Sequence, residues 1–151
     1  MSAISRIACI AIAVTGLFAV PVTASAEDSI YPLSIPRAMA TRPALQKLDG
    51  TVRFYFGHAP HLAIQHTFGE FETNKKTNSL FKPNDEACSW VFLSAMLELQ
   101  KRARILGANA IVNIRSDYDK NEVWSDTDIE CHVGGIMDGI ALKGEFVTVT
   151  K

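Results

Sequence analysis

The chain has 151 residues with 48% hydrophobic, 21% charged and 9% aromatic content, which fits one globular domain and excludes a collagenous, coiled-coil or wholly disordered protein. Its 15 basic and 16 acidic residues leave a formal net charge of −1, so no general nucleic-acid-binding surface is expected. No arrangement of residues specifies a reaction, and the chain reads as non-enzymatic.

Met1 to Ala26 has the form of a secretory signal peptide. Arg6 supplies the one positive charge, an apolar stretch runs from Ile7 to Val20, Pro21 breaks the helix, and Ala24-Ser25-Ala26 offers small residues for cleavage before Glu27. The apolar run of about 14 residues is too short for a span, which needs roughly 20, and no other stretch is long enough. Cys9 does not mark a lipoprotein, because Arg6 stands where a lipobox wants an aliphatic residue. The mature chain is expected in the periplasm or secreted, with no membrane span after cleavage.

Two cysteines remain after cleavage, Cys88 and Cys131, in a compartment where disulfides form and persist. They are expected to bond to each other, closing a loop of about 44 residues that contributes roughly 4 kcal/mol on the chain-entropy model. Two free buried thiols and a metal site are the rival readings. A lone pair without CxxC spacing is poor zinc geometry.

Residues 27–50 contain Pro32, Pro36 and Pro43 and are expected as an extended N-terminal segment ahead of a single α+β domain over residues 51–151. Thr51 to Phe56 alternates as a strand, and Leu62 to Thr73 as a second one, bulged at Gly69. Asn74 to Pro83 reads as a polar, basic loop. Asn84 suits an N-cap, Asp85 and Glu86 place negative charge in the first helical turn, and Gly107 supplies a stop, so a helix is expected from Asp85 to Leu106. Cys88, Phe92, Ala95, Leu99, Ala103 and Leu106 form its apolar face. Trp90, Val91, Leu93, Met96 and Leu97 widen that face. Burial on two sides is the preferred explanation, with Trp90, Leu93 and Leu97 as the candidate interface otherwise.

Ala110 to Arg115 is expected as a strand, Asp117 to Glu122 as a turn, Val123 to His132 as the returning strand of a hairpin, and Ile140 to Val149 as a closing strand. Asn109 is expected to satisfy carbonyls at the helix exit. The fold class is therefore α+β, an antiparallel β-sheet with one long packed α-helix.

His58, His61 and His66 form the ligand-like cluster, at spacings on which two of them can share a metal ion. Solvated loop histidines are the competing reading. No other cofactor is expected. Ser89 and Ser94 lack a nucleophile-elbow pattern, and Glu70 and Glu72 alternate onto one strand face as solvated carboxylates do.

The run Leu99 to Arg115, a helix passing through Leu-Gly-Ala-Asn-Ala into a strand, resembles the small YbjQ-like family, described as heavy-metal-binding. The wider pattern includes Asn74-Lys75-Lys76-Thr77-Asn78, Glu86-Ala87-Cys88 and Glu130-Cys131-His132. It resembles exported bacterial proteins often named "excinuclease ATPase subunit". Cys88 and Cys131 are similar to a helix–strand cysteine pair of the lipoprotein family that senses envelope stress in the Rcs pathway, although this chain lacks that family's second disulfide and its lipobox. An ATPase needs a GxxxxGK[ST] phosphate loop, and none is present. The resemblances imply a YbjQ-like fold and a binding or envelope-stress-related module. Its partner is an envelope protein or component that the sequence does not identify, and its oligomeric state is likewise unspecified.

Overall fold

The structure, a computed structural model, describes residues 29–150; the expected signal peptide lies outside them. The elements follow in the order β1 (Ser29–Ser34), α1 (Ile35–Met39), α2 (Arg42–Lys47), β2 (Arg53–Phe56), β3 (Ile64–Asn78), α3 (Asn84–Leu106), β4 (Ala110–Tyr118), β5 (Asn121–Val123), β6 (Asp128–Val133) and β7 (Met137–Val149). The class is α+β: a curled sheet carrying one long helix.

The segment expected to be extended belongs to the folded unit. β1 pairs antiparallel with β6, and Leu33, Ile35, Ala38 and Ala44 are buried. The prolines explain why it was misread. Pro36 and Pro43 stand in the first turns of α1 and α2, where a backbone N–H has no helical partner to lose and a fixed φ is already helical.

β7 organises the sheet. One of its edges pairs with β3 along nearly its whole length, while the other is shared between β6, which takes Asp138 and Gly139, and β4, which takes Leu142 to Val147. The sheet therefore forks where β4 and β6 part. β2 lies beside β4 in parallel, so the sheet is mixed and not wholly antiparallel as expected.

β3 continues through Asn74-Lys75-Lys76-Thr77-Asn78, the stretch read as a loop. Each of these residues pairs with one of Met137 to Ala141, and that pairing overrides their weak strand preference. The expected bulge at Gly69 is present as a register shift, with φ at +107°. The returning strand is broken. β5 pairs with β4 across Asp119 and Lys120, both at positive φ, whereas Ser125 Oγ accepts from the backbone N–H groups of Thr127 and Asp128 and turns the chain before β6.

α3 ends as expected, at Gly107 with φ +79°. Its start differs: Pro83 is the cap residue, Asn84 makes no side-chain cap bond, and Asp85 and Glu86 hold the first turn. The helix lies on β3 and β7, burying Phe92, Met96 and Leu99 in one core with Ile111, Ile140, Leu142 and Phe146. Each such side chain contributes about 1.5–3 kcal/mol when fully buried. Asn109 has a structural role other than the expected one. Its amide donates to Val149 O and accepts from Val149 N, clamping the end of β7.

Candidate functional site

Cys88 on α3 and Cys131 on β6 are joined by a disulfide with a Cα–Cα distance of 5.9 Å, and both are fully buried. The bond ties the helix to the strand that also carries β1. Beside it lies Asp138, the second residue of β7, equally buried. Pairing of Val133 with Asp138 puts this carboxyl on the same face of the sheet as Cys131, two residues from Val133. The two Sγ atoms and a carboxylate oxygen of Asp138 all lie within 4.8 Å of one another. Neither oxygen of Asp138 has a hydrogen-bond partner among the described residues. A polar group left this way costs about 1–3 kcal/mol, so its retention calls for a reason.

The sequence reading missed Asp138. Its signal was an acidic residue directly before an apolar strand core, Gly139-Ile140-Ala141-Leu142.

The three histidines do not converge. His58 stacks on Trp124 at 4.7 Å between ring centroids, His61 packs edge-on to Tyr55 with Nδ1 2.9 Å from Leu62 O, and His66 packs edge-on to Phe68. Among the described residues, the group of three His, Cys, Asp or Glu side chains close enough to hold an ion is Cys88, Cys131 and Asp138. His132, next to Cys131, stacks on Tyr118 at 3.5 Å.

On the outer face of the sheet the carboxylates of Glu70, Glu72 and Glu122 are committed to cations. Arg115, 4% exposed at its side chain, donates to both oxygens of Glu122, to Glu70 and to the carbonyl of Asn113. Lys143 bridges Glu122 and Glu70, and Lys120 pairs with Glu72. Burial works against the Arg115 charge, yet bonds from Glu122 and Glu70 outweigh it and hold the guanidinium above its ordinary value. Bonds from Arg115, then Lys143, hold the Glu122 carboxyl down at about 2. Arg115 also lies under the Trp124 ring at 4.5 Å, so His58, Trp124 and Arg115 form one stack. Glu70 and Glu72 are exposed on one strand face, as expected, and there they are members of an ion-pair network.

The candidate interface residues separate. Leu93 is buried and Leu97 half-buried, but Trp90 is 52% exposed, against the preferred expectation of a helix buried on both sides. Trp90 and Leu93 line an open groove of about 470 Å³ between α2 and α3, with Pro43, Lys82, Asp85 and Glu86 on its walls. Lys47 stands over the Trp90 ring at 5.4 Å. One residue before Lys82, Phe81 is 97% exposed and its backbone is left-handed, with φ at +63°. A left-handed conformation costs a bulky residue roughly 1–2 kcal/mol. Phe81 was also missed, because a loop aromatic before Lys-Pro carries no periodic signal.

The chain matches no protein-family model, and no curated protein or solved structure matches it. Among the described residues, no helix is long and apolar enough to cross a membrane.

Proposed function

We propose that this chain is an exported, non-enzymatic binding module that docks a polypeptide segment of an envelope partner in the groove beside Trp90. The observation that carries the reading is the exposure of Trp90 on the wall of one groove, with a second exposed aromatic, Phe81, in costly backbone one residue before Lys82 of the same lining. Exposed aromatics beside a concave surface are the usual anchors of recognition. Asp85 and Glu86 are exposed on the same wall and have no ion-pair partner among the described residues, so the complementary segment sets a basic side chain beside an apolar one.

Export is supported by the leader-like sequence and by the disulfide, which persists outside the reducing cytosol. The non-enzymatic reading is supported by the outer-face carboxylates of Glu70, Glu72 and Glu122, which are bound to cations of the same chain. A helix cysteine bonded to a strand cysteine on an α+β frame is in keeping with the YbjQ-like and envelope-stress resemblances. A metal-binding protein is the second reading, favoured by the Cys88, Cys131 and Asp138 group and not by the histidines.

The chain has two tryptophans, so Trp124→Phe leaves Trp90 as the reporter. Its fluorescence is titrated with a Lys/Leu peptide and with a Glu/Leu peptide of equal length. The expected result is a saturable change with the first, at least about tenfold weaker with the second, and weakened to the same degree when Asp85→Asn and Glu86→Gln are added with Trp90 still present as the reporter and the fold retained. Equal responses to both peptides, or none, would remove the groove from the account.

A further inference from the structure

We propose that Cys88, Cys131 and Asp138 become, once the disulfide is reduced, a buried two-sulfur, one-oxygen site for a zinc-type divalent ion, so that ion and disulfide exclude each other. The three ligand atoms already lie within 4.8 Å of one another, on α3, β6 and β7. Two thiolates and a carboxylate match the donors that such an ion selects, and three protein ligands leave a fourth position open. The independent observation is the carboxyl itself. A disulfide needs no acid beside it, and an apolar residue would fill position 138 without loss, yet both oxygens of Asp138 are buried and unpartnered. An ion held by the two sulfurs gives that carboxylate the partner it lacks.

Asp138 borders a pocket of about 220 Å³ at the fork of the sheet, with Tyr118, His132 and the Gly134-Gly135 turn, while its carboxyl oxygens stay buried on the Cys131 side. Gly139 belongs to the same lining, and a Cβ there would meet Lys76 and Tyr118 only at ordinary contact distances of 3.5 and 3.6 Å.

The chemistry balances with a dithiol as reductant. Two exchange steps break the Sγ–Sγ bond, two electrons and two protons pass to Cys88 and Cys131, and the dithiol leaves as its own disulfide. The ion then displaces the two thiol protons to solvent, so binding tightens as pH rises. The proposal is independent of the Trp90 groove.

The mature protein is reduced with a phosphine, which leaves as its oxide, cleared by anaerobic gel filtration, checked for fold by circular dichroism and titrated with Co²⁺. The expected result is one equivalent bound, with thiolate-to-cobalt charge-transfer absorption and tetrahedral d–d bands. The oxidised protein binds none, and reduced Asp138→Asn binds at least about tenfold more weakly. A folded, reduced protein that takes no cobalt would overturn the proposal, as would Asp138→Asn binding as tightly as the parent. If reduction unfolds the chain and neither Co²⁺ nor Zn²⁺ restores its spectrum, the proposal also fails, because the ion should substitute for the bond it replaces.

Discussion

Arg115 and Glu122 meet side-on across the β4–β5 hairpin, with Arg115 Nε and one terminal nitrogen each donating to a different oxygen of Glu122, at 2.8 and 2.9 Å. This forked pairing fixes the hairpin against Glu70 of β3, two strands away, through the same guanidinium.

The pair sets a pH dependence. The Glu122 carboxyl ionises near 4.5 in the unfolded chain and at about 2 in the folded one, held down first by Arg115 and then by Lys143. The folded state therefore binds fewer protons between these values. The contribution to stability is fully present above about 4.5 and is lost as pH falls through about 2. Urea midpoints measured from pH 7 to pH 2 should fall over this window in the parent and fall less steeply in Glu122→Gln, which starts lower at pH 7. Parallel curves would mean the pair is not the cause.

The disulfide closes a sequence separation of 43 residues. Replacing both cysteines, as Cys88→Ala with Cys131→Val, should lower the unfolding free energy by about 4 kcal/mol on the loop-entropy estimate. Denaturant unfolding under non-reducing conditions reads this directly. A loss below about 1 kcal/mol would show that helix and strand hold together without the bond.

Phe81 should trade stability for recognition. Phe81→Gly removes the strain of φ +63° and should raise stability by about 0.5–1 kcal/mol, net of glycine's greater freedom in the unfolded chain. The same variant should weaken the Lys/Leu peptide several-fold in the Trp90 titration. A Phe81→Gly protein that is less stable and binds unchanged would show that the ring serves the fold.

Gly57, with φ +57°, packs on the turn before β6, where a Cβ would come within 2.1 Å of Asp126 Oδ1 and 2.7 Å of the Ser125 backbone. Its neighbour His58 donates its backbone N–H to that same Asp126 oxygen. Gly57→Ala should cost about 1–3 kcal/mol, from the clash and the strained backbone together. It should also alter the emission of Trp124 in a Trp90→Phe background, because the His58–Trp124 stack rests on this turn. An unchanged melting temperature would contradict the packing described.

The long helix was readable from the sequence because its signals are local: three- and four-residue spacing from Cys88 to Ala103, acidic residues at the start and Gly107 at the end. The disulfide was readable from compartment and count alone. The extension of β3 was not, since Asn74 to Asn78 become strand only when β7 lies beside them, and no local preference records that. Pro36 and Pro43 read as breakers because a helix start and a helix stop draw on the same residue. Trp90 illustrates a different limit. Its position on a broad apolar arc is visible in the sequence, but which part of the arc meets the sheet depends on how α3 is rolled against β3 and β7. The histidines are close in sequence and yet separate, because each finds its own aromatic neighbour. Cys131 and Asp138 are seven residues apart and meet through the pairing of β6 with β7, whereas Cys88 is distant in sequence and joins them only when α3 lies on the sheet.

The central claim is that this is an exported module closed by one disulfide. An intact mass of the protein recovered from the cell envelope without reductant, before and after thiol alkylation and chelation, tests it most directly. The account predicts the mass of Glu27 to Lys151 less two hydrogens, unchanged by alkylating reagent or chelator. A mass that retains the leader, or that gains an alkyl group on Cys88 or Cys131, would contradict it.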